Sequence, residues 1–325
     1  MTSALVLAAT LALAGQTADS GALYRDPVHD GAADASIVAE PGTGRWLMFY
    51  TNRRADLTGP DDRDVSWVHG TRIGVAASTD QGASWTYQGT ADLPAGAPTH
   101  WAPDIVRADG LHHMFLTVVP GVFSDWNAPR AIVHLTSKDL THWVHRGRLD
   151  LGSDRVIDAG VLALPGGGWR MWYKDERDAS RIHAADSPDL DHWTPRGGAL
   201  DGPAGEGPKP FVWRGRYWMI VDHWNGLGVY HSTDAEQWQA QPGRLLAEPG
   251  ARPTDRAKGQ HADVVVAGDR AFLFYFTHQD GAPETAGDPT WRRRSVIHAA
   301  ELIETDGILS VDRNQPVTPN LGSPQ

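Results

Sequence analysis

The sequence of 325 residues contains no cysteine. A chain without cysteine has no disulfide scaffold, no thiol nucleophile, no cysteine-ligated zinc and no iron–sulfur cluster. Basic residues are also scarce, with 29 Lys and Arg against 40 Asp and Glu, which gives a formal net charge of −11. Since nucleic acids and anionic membrane surfaces need a basic face, neither is expected as a partner.

Long apolar runs are missing as well, so no segment is expected to cross a membrane. The one apolar run, Ala4–Ala14, has 11 residues and ends in the small-residue pattern Ala12-Leu13-Ala14. This length is too short to span a bilayer but is typical of a signal-peptide core. We therefore expect residues 1–14 to be a signal peptide, residues 15–325 to be a single domain, and the protein to be secreted or periplasmic.

Glycine, proline and tryptophan are abundant, with 35, 22 and 14 residues. Five segments share one pattern, in which a short apolar strand, a Gly-containing turn and an aromatic-rich strand follow one another. These segments are residues 34–52, 104–118, 158–175, 207–224 and 261–278. Each pattern predicts a β-hairpin.

A second repeat follows the first four hairpins, and each copy ends on a Trp that opens a further strand. These residues are Trp85, Trp143, Trp193 and Trp238, at intervals of 45 to 58 residues. This period is typical of four-stranded propeller blades, so we predict an all-β, five-bladed β-propeller. The fifth copy is degenerate, as expected of a terminal repeat sealed by another part of the chain. The four Trp are expected to pack between neighbouring blades. A two-sheet β-sandwich is the alternative all-β fold.

Acidic residues stand at the start of the first strand in several repeats. The candidates are Asp34, Asp104, Asp158 and Glu206, with His261 and Asp263 in the fifth repeat. Because the first strand of each blade lines the central channel, these side chains should meet at one end of the axis. Converging carboxylates push their pKa values apart, which suits the acid and base of glycoside hydrolysis. Each alone could instead cap a turn or form an ordinary channel hydrogen bond.

Four motifs in this order resemble glycoside hydrolase family 43 and its five-bladed relatives, including the family 117 anhydrogalactosidases, over residues 23–311. The motifs are Ala33-Asp34-Ala35-Ser36-Ile37-Val38, Trp101-Ala102-Pro103-Asp104-Ile105-Val106, Ile157-Asp158-Ala159-Gly160-Val161 and Glu206-Gly207-Pro208-Lys209-Pro210-Phe211. The resemblance implies an inverting glycosidase with Asp34 as general base and Glu206 as general acid. Asp158 would orient that acid and tune its pKa.

The same resemblance implies further site residues. Trp101 and Asp104 would lie in the substrate pocket, and His261 would help to hold an axial cation such as Ca²⁺, with no cofactor needed for the chemistry. The sequence departs from the family pattern at Ala35, where family 43 usually has Pro. It also has Gly205 where some family 117 members have a catalytic His, although Gln260–Asp263 is closer to that branch.

The expected substrate is a carbohydrate, with a pentose glycoside of plant or algal polysaccharide as the leading class and an agar-derived anhydrogalactoside as the alternative. His69, Lys174, Asp175, Arg177, His223 and Trp224 lie at loop ends, where they could contact sugar or form a solvated rim. A non-catalytic sugar-binding propeller is the rival from another functional class. Phosphorolysis stays open through Lys209 and Arg53-Arg54.

The signal-peptide hypothesis gives a direct prediction. Cleavage after Ala14 should leave Gly15 as the mature N-terminus, because Ala12 and Ala14 satisfy the small-residue rule for signal peptidase. Sequencing the N-terminus of the exported protein from its native host checks this. Recovery of uncleaved protein from the cytoplasm would contradict it.

Overall fold

The computed structural model describes residues 21–57, 63–279 and 290–322. In these ranges the chain forms five four-stranded antiparallel sheets, each built from four consecutive strands. The predicted five-bladed propeller is therefore confirmed, and the sandwich alternative is wrong. The expected signal peptide, residues 1–14, lies outside the described residues. No helix within these ranges is long and apolar enough to cross a membrane.

The strands run in chain order, from the channel outward in each blade. Blade 1 comprises β1 (Ala32–Ala39), β2 (Trp46–Asn52), β3 (Ile73–Ser78) and β4 (Thr86–Thr90). Blade 2 comprises β5 (Thr99–Ala108), β6 (Leu111–Val119), β7 (Ala131–Ser137) and β8 (Trp143–Arg148), and blade 3 β9 (Val156–Ala163), β10 (Trp169–Asp175), β11 (Arg181–Ser187) and β12 (Thr194–Gly198). Blade 4 comprises β13 (Glu206–Trp213), β14 (Arg216–Asp222), β15 (Leu227–Ser232) and β16 (Gln239–Ala240), and blade 5 β17 (Gln260–Ala267), β18 (Arg270–His278), β19 (Ser295–Thr305) and β20 (Ile308–Val311).

The second strand of each blade carries most of the core. The aromatic and aliphatic residues of β2, β6, β10, β14 and β18 are almost all buried, whereas β4 and β12 are mostly exposed. A strand buried on both faces reads as a continuous apolar run, because neighbouring blades cover it from either side. Within the described residues the helical structure is one 3₁₀ turn, Ser66–Val68, between β2 and β3.

The four repeated Trp pack between blades, as predicted. Each ring stands edge-on against an aromatic ring in the second strand of the preceding blade, at centroid distances of 5.4 to 6.5 Å. The pairs are Trp85 with Phe274, Trp143 with Phe49, Trp193 with Phe115 and Trp238 with Trp172. Edge-to-face pairs of this kind contribute about 0.5–1.5 kcal/mol beyond the area they bury.

Both chain ends seal the ring between blades 5 and 1. The N-terminal segment pairs with the start of β19, where Ile297 N donates to Tyr24 O at 2.9 Å. The C-terminal segment reaches blade 1, where Trp46 Nε1 donates to Gly322 O at 3.0 Å. The degenerate fifth repeat is thus sealed by other parts of the chain, as expected.

Each innermost strand has a β-bulge at the same position. The bulge residue has a positive φ in all five blades, and these residues are Asp34, Ala102, Asp158, Gly207 and His261. Bulges redirect side chains and recur beside functional sites. Because Ala102 occupies this position in blade 2, Asp104 lies two residues deeper in the channel. The expectation that Asp104 lies level with Asp34 and Asp158 is therefore wrong.

The position two residues beyond the bulge forms a buried layer in the channel. Lys209 Nζ lies 2.8 Å from Asp104 Oδ1 and 2.7 Å from Asp263 Oδ1. The second oxygen of Asp263 accepts from Ile37 N at 2.7 Å, and that of Asp104 accepts from Val161 N at 2.9 Å. This layer, which we call the channel triad, joins all five innermost strands.

Loss of the central cation should destabilise the fold. In Lys209→Met we expect a loss of about 3–5 kcal/mol in the free energy of unfolding at pH 7, because two buried carboxylates remain without a counter-charge. The loss should shrink at low pH, because Asp263, whose pKa is raised by burial, then binds a proton. Chemical denaturation measures both values, with the exposed Lys138→Met as control. A Lys209→Met variant as stable as Lys138→Met would contradict the role assigned to the triad.

Candidate active site

One end of the channel opens into a cavity of about 410 Å³. Its lining contains the predicted residues Asp34, Trp101, Asp158, Lys174, Glu206, Trp224 and His261. It also contains residues that the sequence analysis did not single out as site residues: Trp67, Trp126, Arg130, Glu176, Gln260, Phe276 and His278. Carboxylates, fixed cations and aromatic rings thus share one concave surface, which is the usual composition of a ligand site.

Three of the carboxylates come from three different blades. Asp34 and Asp158 are the bulge residues of β1 and β9, and Glu206 stands one residue before the bulge of β13. Thr117 fixes one of these bulges, because its Oγ1 accepts a hydrogen bond from Asp158 N at 3.0 Å. The equivalent Thr51 accepts from Ala102 N at 2.8 Å. The second strand of one blade therefore sets the bulge of the next.

Asp158 is a carboxyl group whose pKa is raised in this site. It is 6% exposed. Burial raises its pKa to about 7, and the charges of Glu206 and Asp34 act in the same direction, against the attraction of His261 and Lys174. A buried carboxyl among other carboxylates avoids ionisation for this reason.

Glu206 behaves differently because Lys174 contacts it. Lys174 Nζ donates to Glu206 Oε2 at 2.9 Å and lies 3.3 Å from Glu176 Oε1. Burial alone raises the pKa of Glu206, but the charge and hydrogen bond of Lys174, together with His261, outweigh it and the net pKa is lowered. The role of general acid, which the family resemblance implies for Glu206, calls for a raised pKa, whereas in the free site the pKa of Glu206 is lowered and that of Asp158 is raised.

His261 lies among the carboxylates. Its Nδ1 is 3.3 Å from Asp34 Oδ1. Burial lowers the pKa of its imidazole, but Asp34, Asp158, Glu206 and Asp222 together raise it. Gly207 leaves room for this ring, since a Cβ there would come within 2.8 Å of Nδ1. In the described part of the chain, no group of three or more His, Asp or Glu has the geometry of a metal site, so the axial cation stays a prediction.

Asp222 is a further buried carboxyl beside this group. Its Oδ2 accepts from His261 N at 3.1 Å and its Oδ1 from Trp224 N at 2.7 Å. Burial and the Glu206 charge raise its pKa to about 7. It occupies the position of Thr51 and Thr117 in its blade, so it holds the bulge of β17. The sequence signal was present, since these three residues stand at the same place in the hairpin repeat.

Aromatic rings form much of the cavity wall. Trp126 is 50% exposed and its ring centroid lies 6.3 Å from that of Trp101. Trp101 is fixed by its Nε1, which donates to Val68 O at 2.6 Å. Trp224 lies under the Lys174 ammonium group, with 5.2 Å between Nζ and the ring centroid. Exposed, rigid aromatic faces of this kind suit stacking on the apolar face of a sugar ring.

Two arginines add fixed positive charge to the cavity. The Arg53 guanidinium stacks on Phe276 at 4.6 Å and on Trp67 at 5.5 Å, and it donates to Ser295 Oγ at 2.9 Å. Arg130 lies over Trp101 at 5.4 Å and pairs with Glu176 at 3.3 Å. The charges of Arg53 and Arg130 thus lie on aromatic faces.

Several sequence candidates lie outside the cavity lining. Asp104 belongs to the channel triad, which also contains Lys209. His69 is buried behind Trp101, with 5.0 Å between ring centroids, and its Nδ1 contacts Val65 O. His223 is buried between Ala204 O, at 2.8 Å, and the Tyr230 hydroxyl, at 3.1 Å. As cavity residues these three were wrongly predicted, because a loop end can turn a side chain into the blade.

The remaining candidates are accounted for by contacts at the rim. Asp175 accepts a hydrogen bond from Ser153 Oγ at 2.8 Å, and the exposed Arg177 pairs with Asp154 at 2.7 Å. Arg54 donates to Ser66 O at 2.7 Å. Of the cations considered for phosphorolysis, Arg53 reaches the cavity, whereas Lys209 is held in the channel triad.

Comparison with solved structures finds the same fold in family-43 glycoside hydrolases. A thermostable family-43 glycoside hydrolase shares 18% identity and a TM-score of 0.65, over 93% of this chain and 99% of that one. A family-43 β-1,3-galactosidase bound to galactodeoxynojirimycin shares 15% identity and a TM-score of 0.64, over 90% of this chain and 97% of that one. A β-xylosidase/α-arabinofuranosidase from a compost microbial metagenome, in a calcium-free complex with xylotriose, shares 14% identity and a TM-score of 0.65, over 91% of this chain and 98% of that one.

Sequence comparison alone finds no relative. No family profile matches the chain, and no curated protein matches it either. The chain therefore shares the fold of the family-43 enzymes at identities of 18% or less, which agrees with the resemblance seen in the four sequence motifs.

The raised pKa of Asp158 predicts how stability depends on pH. A carboxyl whose pKa is higher in the folded state binds more protons there, so it lowers stability as pH rises from its ordinary value towards about 7. Asp158→Asn removes this cost. We expect the variant to exceed wild type by about 1–3 kcal/mol at pH 8 and by much less at pH 4.5.

Urea denaturation at both pH values gives the two differences. The exposed Asp269→Asn is the matched control and should show no such pH dependence. A variant that is equally stable, or less stable, at pH 8 would contradict the buried, proton-holding state of Asp158.

Proposed function

We propose that this protein is a glycoside hydrolase that cleaves a glycosidic bond by single displacement. One observation carries the proposal: Asp34, Asp158 and Glu206 come from three blades into a single cavity walled by tryptophan. The shared fold with family-43 glycosidases supports it. A sugar-binding propeller needs polar groups and aromatic platforms, but it has no need of a carboxyl group kept protonated near neutral pH by burial.

Asp34 acts as the general base. Its contact with His261 Nδ1 at 3.3 Å orients the carboxyl group towards the other site residues. An ionised carboxylate with one oxygen open to the cavity can deprotonate a water molecule as that water attacks the anomeric carbon. The product then has the inverted anomeric configuration.

Glu206 acts as the general acid, and Asp158, whose pKa the Glu206 charge helps to raise, supplies its proton. In the free site the Lys174 ammonium lowers the pKa of Glu206, so the proposal places the proton on Asp158. Two interacting carboxyl groups titrate as a unit, so a modest change in surroundings moves the proton from one to the other. A sugar that draws Lys174 away from Glu206 makes such a change, and Glu206 then protonates the leaving oxygen.

The proposed substrate is a glycoside of a plant or algal polysaccharide. The structural neighbours include a β-xylosidase/α-arabinofuranosidase and a β-1,3-galactosidase, so a pentose is the first class to test and a galactoside the second. An agar-derived anhydrogalactoside stays the alternative. We also propose that the protein is exported, on the basis of the apolar run Ala4–Ala14.

Substitutions of the two carboxyl groups should have different signatures. Glu206→Gln should lose roughly 10²–10⁴-fold in kcat on natural glycosides, the usual contribution of a general acid. It should lose far less on aryl glycosides with activated leaving groups, which depart without protonation. Asp34→Asn should be nearly inactive on both, because no leaving group replaces activation of the attacking water. The measurements are kcat on each substrate type and the anomer first released, read by NMR.

The exposed Glu248→Gln serves as control and should retain wild-type rates. Equal impairment of Glu206→Gln on both substrate types would refute its assignment as acid. A first-formed product of retained configuration would refute single displacement. Sugar binding without hydrolysis by the wild-type protein, over a panel of aryl glycosides and plant and algal oligosaccharides, would favour the sugar-binding propeller.

A further inference from the structure

A second cavity adjoins the proposed active site. It measures about 700 Å³ and is lined by Arg256, Ala257, Lys258, Gln260, His278 and Arg292. Gln260 and His278 line both cavities, so the two are continuous along the wall that β17 and the end of β18 provide. We call this second cavity the basic groove.

The charge of the basic groove is opposite to that of the whole chain. Three cations line it and no described carboxylate does, although acidic residues exceed basic ones by 11 in the sequence. Arg256 and Arg292 are exposed, and within the described ranges Arg256, Lys258 and Arg292 make no ion pair. Elsewhere arginines are commonly paired, as Arg170 is with Glu236 at 2.7 Å.

Two buried nitrogen atoms on this side of the active-site cavity have no hydrogen-bond partner among the described residues. They are Nε of Arg53, which lines the active-site cavity, and Nδ1 of His278, which lines both cavities. Burial is the main cause that lowers the pKa of His278 to about 3, and the charges of Arg53 and Lys258 act in the same direction. Buried polar nitrogen atoms without a partner are costly, and a ligand is one way in which they are satisfied.

We propose that the basic groove binds an anionic substituent, a sulfate ester or a uronate carboxylate, on the sugar next to the one cleaved, so that the substrate is an acidic glycan. The proposal rests on the proposed hydrolase function and defines its substrate class. Guanidinium groups present paired N–H donors that match the oxygens of carboxylate and sulfate. A neutral glycan offers hydroxyl groups as hydrogen-bond partners but no charge that balances the three cations of the groove.

The double variant Arg256→Gln/Arg292→Gln tests the proposal. Both side chains are exposed, and Arg292 contacts only the Trp291 ring among the described residues, so the fold should be retained. Lys258 is left in place because it donates to Trp224 O, and Trp224 lines the active site. The matched control is Arg148→Gln/Arg214→Gln, which removes two exposed arginines outside both cavities.

The rate is measured on three oligosaccharides that share one backbone: a neutral form, a sulfated form and a uronate-containing form. For the acidic form that the groove binds, kcat/KM of the groove variant should fall about three- to thirtyfold, as expected for two partly exposed ion pairs. The neutral form should change less than twofold. A loss confined to the sulfated arm identifies a sulfate ester, and a loss confined to the uronate arm identifies a carboxylate.

Equal rates of the groove variant and the control on both acidic forms would overturn the proposal. The same holds for an equal loss on the neutral form. Calorimetric binding of the three oligosaccharides to Glu206→Gln separates this failure from that of the proposed function. If wild type hydrolyses none of the three oligosaccharides, the hydrolase proposal fails. The proposed anion binding in the basic groove is then upheld only if the acidic form binds Glu206→Gln more tightly than it binds the groove variant.

Discussion

The rest of the structure depends on the Lys209 ammonium group in the channel. Two carboxylates from blades 2 and 5 converge on this cation, and their outer oxygens accept backbone N–H groups from blades 1 and 3. Neighbouring blades approach so closely here that a Cβ on Gly160 would lie 1.9 Å from Pro208 O. Since a buried carboxylate is tolerated only when paired, this one cation fixes how far apart the five innermost strands lie.

The layer above the channel triad inherits that spacing but has the opposite charge balance. Asp34, Asp158, Glu206 and Asp222 meet around the single imidazole of His261. Their negative charge is balanced by Lys174, Arg53 and Arg130. These cations come from the ends of second strands and from loops, and each lies over an aromatic ring. The backbone bulges of the inner strands thus position the carboxylate layer, and cations held on aromatic faces balance its charge.

The sequence was sufficient for the fold because each blade repeats the same pattern of strand, turn and Trp. It also identified Asp34, Asp158 and Glu206, since strand starts converge in any propeller. The sequence analysis misplaced Asp104 because it matched this residue by type to Asp34 and Asp158. The equivalent bulge position in blade 2 is Ala102, so Asp104 lies one layer deeper in the channel. His69 and His223 were misjudged for a related reason: their positions are at the rim, but their side chains turn into the blade. Trp126 and Arg130 were not predicted as site residues. They lie in the connection between β6 and β7, which has no equivalent in the repeat pattern.

Proton placement could not be predicted from the sequence because it depends on Lys174. The family resemblance implies the role of acid for Glu206, and that role calls for a raised pKa. Lys174, however, reaches Glu206 from β10 of the neighbouring blade and lowers the pKa of Glu206. The consequence is physical. Under the proposed mechanism, Glu206 takes up its proton only when a bound sugar displaces the Lys174 ammonium group. Lys174 would then link sugar binding to proton transfer, because it contacts Glu206 directly.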